Sequence, residues 1–408
     1  EDLHPMDAHL NLPPELYSHG LRKMVAEEAG RASFNEVVEM VGKYTGVTVA
    51  KRQVEQLAFR AARDFDSFYE QRKREMQNEP SKLLVISTDA KGIVVRHEDL
   101  REATRLAAEK TRRKLETRLS PGEKAARKRM AQVCTVYSVA PWPRTATDVL
   151  HTARDEDTDS KRPRPRDKRV WASVDKDSRV VIREGFEEAL RRDPDRRCRW
   201  VVLVDGLPHQ IKLVKAEAKR LRVKVTIIVD IVHVLEYLWG AARALHGGGT
   251  PEAEQWVGDR LLALLTGRSG GDVARTIRWW AKSRAEQIDP AGHKAIEDAC
   301  KYLADRTRTR LMKYADALRD GLPIATGVIE GACRFLVKDR MDRTGARWSL
   351  DGAEAVLRLR ALRASGDFDQ YWHFHLARER ERNHIARYAD DRVPNPLPCR
   401  KRHLRRVK

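Results

Sequence analysis

Two short apolar runs, Trp200–Val204 and Val223–Val229, each end on an aspartate, Asp205 and Asp230, with a helical stretch, Ile211–Leu221, between them. Runs this short, bounded by turn residues, read as strands rather than helices. Strand, helix and strand in that order give a parallel pair, because a parallel connection needs a crossover. Three further runs lie upstream. Leu83–Ser87 is apolar and ends at Thr88-Asp89, and Gly92–Val95 reads as its hairpin partner across Ala90-Lys91. Val133–Val139 alternates Val133, Thr135, Tyr137 and Val139 against Cys134, Val136 and Ser138. Ile182–Arg192 and Ile231–Leu245 read as helices, the second stopping at Gly247-Gly248-Gly249. The order β-β-β-α-β-α-β-α predicts one mixed sheet, antiparallel first and parallel afterwards.

The flanks read differently. Residues 1–80 are helical by periodicity, with Ala32–Val41 and a second helix opening at Thr48 on either side of Gly46. Lys51, Arg52 and Gln53 fall in the first turn of that second helix, so the pair is similar to a helix-turn-helix that meets DNA. An ordinary helical hairpin is the alternative. The charge-dense residues 96–130 predict a solvated helix or loop, and 151–170, acidic then basic, a loop. Residues 250–320 show helical spacing only, Gly321-Leu322-Pro323 ends them, and 327–347 reads as one more helix. Expected boundaries are therefore 1–80 for an N-terminal DNA-binding region and 81–246 for the first part of an α/β core. A helical insertion, 247–322, follows, then a final core helix within 323–365 and a basic tail, 366–408. Arg400, Lys401 and Arg402 in that tail suit non-specific phosphate contact.

Composition narrows the partner. The 408 residues hold 80 Lys+Arg against 60 Asp+Glu, a formal +20, which points to a polyanion and first to nucleic acid. No apolar run is long enough to span a bilayer, so no membrane partner is expected. The sequence begins at Glu1 without Met, which leaves room for an upstream piece, and no secretory leader is read there. The five cysteines are scattered with no C-x-x-C pair, so neither a zinc ribbon nor a disulfide framework is expected and a reducing cytoplasm suits the chain. Phosphate-loop and dinucleotide glycine patterns are absent, so no nucleotide cofactor is expected.

The chemistry rests on carboxylates. Asp89 and Asp205, each at a strand end, become neighbours if the first and fourth strands are adjacent, as in the ribonuclease H-like fold. Close carboxylates repel, and Mg²⁺ or Mn²⁺ with hard oxygen ligands relieves that. A pair of such ions clamps the attacking and leaving oxygens of a phosphoryl displacement. Glu330 is the best third carboxylate, with Arg334 and Lys338 at i+4 and i+8 and Arg340, Arg343, Arg347 and Trp348 beyond. A salt bridge from Glu330 to Arg334 is the alternative. Asp230 reads as a helix N-cap or a substitute ligand, and His233 as support or a buried histidine bonded to a carbonyl. Trp256, Trp279 and Trp280 read as core or as stacking platforms.

The chain resembles DDE transposases of bacterial insertion sequences, specifically the ISKra-type branch, related to Mutator-like transposases. Val85–Asp89, Val202–Gly206, the Asp-x-x-His segment Asp230–Leu238, and Thr326–Trp348 carry the likeness. The likeness implies a ribonuclease H-like core, with Asp89, Asp205 and Glu330 holding the metal ions. It implies hydrolysis at mobile-element ends, then strand transfer into target DNA, by a homodimer or larger assembly on nucleoid DNA. A nuclease that cuts without joining, a non-catalytic transposase-derived DNA-binding protein and a basic RNA-associated protein are the competing readings.

Overall fold

The computed structural model describes residues 7, 9–13, 15–72, 83–110, 123, 127–152, 162–325, 327–343 and 346–386. Arg400, Lys401 and Arg402 lie outside them. The elements begin with helices α1 (His19–Ala29), α2 (Phe34–Thr45), α3 (Lys51–Ala61) and α4 (Phe65–Gln71). The mixed α/β part follows as β1 (Leu83–Val94), α5 (Glu102–Glu109), β2 (Lys128–Val139), α6 (Ala146–Thr152), β3 (Arg166–Ser173) and α7 (Ser178–Arg192). It continues through β4 (Arg199–Val204), α8 (Pro208–Arg220), β5 (Val225–Val229) and α9 (Ile231–His246). Helices α10 (Pro251–Leu265), α11 (Gly270–Ser283), α12 (Pro290–Arg308) and α13 (Tyr314–Arg319) come next. The chain closes with α14 (Gly327–Ala332), α15 (Leu350–Ala364) and α16 (Phe368–Arg380). No helix among the described residues is long and apolar enough to cross a membrane.

Two compact units form, one from 1–72 with 358–408 and the other from 73–357. In the first, Ser33 and Glu36 cap α2 reciprocally, and Gly46 ends it in the left-handed region at φ 70°. Val25, Val37, Val41, Val49, Val54 and Leu57 from α1, α2, α3 and their connection make its core. The C-terminal region was expected as a tail from residue 366, yet α16 belongs to this unit's interior. Phe368, Tyr371, Trp372 and His375 are buried at helical spacing, a stripe that the basic residues after Arg378 obscure in the sequence. Arg22 makes a two-pronged buried ion pair with Glu379 at 2.6 and 2.5 Å. Asp64 accepts from Arg382 and contacts buried His375 Nδ1 at 2.7 Å.

The second unit holds a five-stranded mixed sheet in the order β3-β2-β1-β4-β5. β1 runs antiparallel to β2 from Leu83↔Val139 to Val94↔Lys128, and parallel to β4 only from Leu83↔Arg199 to Ser87↔Leu203. Two expectations fail together here. Leu83–Ser87 and Gly92–Val95 are one strand, not a hairpin, because β2 supplies a partner along their whole length and no turn is needed at Ala90-Lys91. β3 begins within the stretch 151–170 read as a loop and runs on to Ser173, and its basic start, Arg166 to Arg169, hides it in the sequence. The number of strands ahead of α7 survives because one strand was split and another overlooked, but α5 and α6 lie between them.

Buried charge also anchors this unit. Glu188 of α7 is 1% exposed and accepts from Arg169 at 2.6 Å, Arg192 at 2.9 and 2.8 Å, and Arg191 at 3.2 Å. Glu188→Ala strands these arginines and should cost about 3–5 kcal/mol in denaturant unfolding. In the first unit, burial pushes the Asp64 carboxyl up, but the bonds from His375 and Arg382 outweigh it and leave it at about 2. A depressed carboxyl stabilises above its unfolded value near 3.8, and that stability is lost as pH falls through about 2. Asp64→Asn should therefore be less stable than the native chain at neutral pH by about 2 kcal/mol. The gap should close as the unfolding series is carried from pH 4 towards 2.

Candidate active site

Asp89 and Asp205 each stand two residues beyond the last rung pairing β1 with β4, Ser87↔Leu203. Continuing that register sets them level on neighbouring chains. Alternation along β1 puts Val85, Ser87 and Asp89 on one face and Ile86 and Thr88 on the other. α7 covers the Ile86 face so closely that a Cβ on Gly185 would stand 2.8 Å from Cys134 Sγ. The helical run carrying Glu330 covers the Asp89 face, where Cys333 Sγ donates to Asp89 Oδ2 at 3.2 Å.

Each aspartate is held by its own backbone surroundings. The Ala90 N–H donates to Asp89 Oδ1 at 2.7 Å, and the Leu207 N–H donates to Asp205 Oδ1 at 2.8 Å. Gly206 is in the left-handed region at φ 91°, and a Cβ there would come within 2.9 Å of both Tyr302 and Arg306. That close packing is the physical need for glycine after Asp205. Tyr302 stacks on Tyr237 with centroids 4.1 Å apart, and its hydroxyl donates to the Asp205 carbonyl at 2.7 Å.

Gln210, on α8, ties the two strand ends together. Its amide donates to the Thr88 carbonyl at 2.9 Å and Thr88 Oγ1 at 2.8 Å, while its oxygen accepts from the Asp205 N–H at 3.2 Å. Nothing in its sequence position signals this. Arg306 was equally invisible. It is 8% exposed, lies over the Tyr302 ring at 5.1 Å, and its Nε has no hydrogen-bond partner among the described residues.

Burial raises the Asp205 pKa, and Asp89 raises it further, against opposing pulls from the Leu207 N–H, His233 and Arg306. Such a pair matches a hard divalent cation in donor type, since a cation relieves the repulsion between two neighbouring carboxylates. Glu330 is exposed on α14, and Arg334 reaches Asp339 at 3.8 Å rather than Glu330. Among the described residues, no group of three or more His, Cys, Asp or Glu side chains is gathered closely enough to hold a metal ion.

The run predicted as one helix over 327–347 has a π-helical segment, Cys333–Lys338, and ends at Met341. The wider π turn keeps Glu330, Arg334 and Lys338 in one exposed row, as eight α-helical residues alone would drift by about 80°. Arg343 and Arg347 are exposed beyond the helix. Arg340 and Trp348 are corrections to the DNA-facing set. They are 3% and 7% exposed, and the Arg340 guanidinium lies 4.8 Å from the Trp348 ring centroid. Trp348 also bridges to Val95, closing the end of β1.

Asp230 is a cap: it is buried and accepts from the Val232 N–H at 2.9 Å. His233 is partly exposed and meets Glu236 at 3.3 Å, not a carbonyl. In the first unit, Lys51 and Arg52 are exposed, whereas Gln53 accepts from the Ala50 N–H and the Tyr17 hydroxyl, which commits its oxygen to the start of α3. Trp256 is core at 3% exposed and Trp279 is 66% exposed. No protein-family model and no curated protein matches the chain.

Asp205 yields a pH signature. A carboxyl raised on folding costs stability once pH exceeds its unfolded value near 3.8, and the cost is complete above the folded value. Asp205→Asn keeps the oxygen that accepts from Leu207 and removes the charge. It should raise Tm at pH 7, and a pH series should show the gain vanishing below about pH 3.8.

Proposed function

We infer that the chain is a DDE-type DNA transposase with a ribonuclease H-like core, cutting at mobile-element ends and joining them to target DNA. The observation carrying this reading is the level placement of Asp89 and Asp205 beyond the β1–β4 pairing, with the Glu330 helix over the same face. The strand order and the helical block α10 to α13 between the second aspartate and Glu330 support it. The α2–α3 pair would act as a helix-turn-helix, with Lys51 and Arg52 on the phosphates. Dimeric or larger assembly belongs to the same reading.

Asp89, Asp205 and Glu330 would hold Mg²⁺ or Mn²⁺, which supplies activation of the attacking oxygen and stabilisation of the leaving one. Gln210 holds the β1 and β4 ends in register. Arg334 and Lys338, in line with Glu330, position the phosphodiester, and Arg306 supports Asp205 in its charged form.

The test is cleavage of a DNA fragment carrying the element ends, with Mg²⁺ and with EDTA. Native protein should cut only with the metal. Asp205→Asn and Glu330→Gln should each lower cutting by about a hundredfold or more while DNA binding persists. Cutting without joined products points to a nuclease. Binding without cutting under either metal points to a non-catalytic DNA-binding protein. Cutting that survives both substitutions removes the assignment.

A further inference from the structure

A cavity of about 650 Å³ opens on the Asp89 face of the sheet, away from the aspartates. Tyr137, Trp142, Arg144, Arg162, Arg164 and Val328 are among its walls, and Val328 is two residues before Glu330. Its size falls within the roughly 300–1,000 Å³ of small-molecule sites.

Three features mark it as a binding site for an anion with a flat apolar part. Tyr137 is 3% exposed as a residue and lines the cavity, so its phenol can offer both an apolar ring and a polar hydroxyl to a ligand there. Arg144 is half-buried, lies 5.0 Å over the Trp142 ring and donates to the Trp142 carbonyl at 2.9 Å. No carboxylate lies within ion-pair distance of it among the described residues. Burial and Arg162 lower its pKa to about 10, and Asp148 opposes this only in part, so an added anion would be welcome. Third, the wall is set rigidly. Gly321, at φ 70°, lies so near Trp142 that a Cβ would stand 2.5 Å from its backbone nitrogen, and the Trp142 N–H donates to the Gly321 carbonyl at 2.9 Å.

Guanidinium forks match phosphate oxygens, and Trp, Tyr and Pro faces stack on bases. We propose that this cavity binds a nucleoside phosphate, supplied by an unpaired nucleotide of a DNA strand that passes the Glu330 helix. Arg144 and Arg162 take the phosphate, and the Tyr137 hydroxyl meets a polar edge of the base or sugar. The strand as source rests on the transposase reading; the nucleotide chemistry does not.

The test uses the full chain without metal, at about 0.2 M salt to weaken non-specific phosphate contacts. Binding of a labelled single-stranded oligonucleotide and of the same sequence as a blunt duplex is measured by anisotropy. The native chain is compared with Arg144→Gln/Arg162→Gln, with Tyr137→Phe, and with Lys215→Gln/Lys219→Gln on α8, which removes equal charge elsewhere. The arginine pair should lose about tenfold or more in single-strand affinity and Tyr137→Phe about threefold, with duplex binding nearly unchanged. The lysine pair should change both by less than about threefold. Millimolar deoxyadenosine monophosphate should displace the single strand from the native chain. Arginine-dependent binding of the mononucleotide, with oligonucleotide binding unaffected, would keep the site and make its source a free nucleotide. Single-strand and mononucleotide binding both unchanged in the folded arginine variant would overturn it, and unchanged binding in Tyr137→Phe would remove the hydroxyl's role. Arginine-dependent binding in a chain that never cuts would remove the transposase reading alone; cutting with arginine-independent binding would remove the cavity site alone.

Discussion

The candidate site depends on how far β1 and β4 pair. Their parallel ladder stops at Ser87 and Leu203, while β1 continues to Val94 against β2. Beyond the last rung the two chains remain side by side but have no mutual backbone bonds. Asp89 and Asp205 occupy that gap, and two carboxylates so placed would tend to push the ends apart. Gln210 resists this from the opposite face, bonding Thr88 with its amide and Asp205 with its oxygen. Gly206 and Tyr302 fix the path of the chain after Asp205. Pairing, clamp and glycine turn together allow an electrostatically unfavourable pair to persist in the folded chain. Burial, with a smaller push from Asp89, raises the Asp205 pKa.

Charge is handled in a different way away from the site. Glu188 gathers three arginines in the sheet unit, and Asp64 and Glu379 gather Arg382, His375 and Arg22 in the other. These carboxylates are neutralised by neighbours, and breaking such a set leaves buried charge uncompensated. Asp205 and Asp89 have a carboxylate as neighbour instead. The contrast separates groups that hold the fold from groups available for chemistry. The Arg144 cavity shows the converse, a half-buried cation with no carboxylate at ion-pair distance among the described residues.

Exposure sorts the basic residues near Glu330. Arg334 and Lys338 share its row, and Arg343 and Arg347 follow on the surface, but Arg340 is turned inward onto Trp348. The sequence shows only a series of arginines after a glutamate. Which of them meets solvent is set by the π segment, whose extra residue per turn changes the face presented. Likewise the stripe Phe368, Tyr371, Trp372 and His375 was present in the sequence, but only the partners of its buried face show that the C-terminal region belongs with α1 to α4.

By itself the sequence determined the alternation of helices and strands from Ile182 to Leu245, the Asp205-Gly206 turn, the Asp230 cap as one of two readings, and the helical character of residues 250–320. These follow from local periodicity, turn chemistry and capping, which depend on neighbours a few residues away. Tertiary structure alone decided that Leu83–Val94 is one strand, since that depends on a partner about 50 residues distant. It decided that Arg166–Ser173 is a strand despite its charge, because β2 pairs with it. It brought Asp89 level with Asp205 and placed Gln210, Cys333 and Arg306 around them. Contacts between residues far apart in the chain leave no periodic trace, so no local pattern could have announced them.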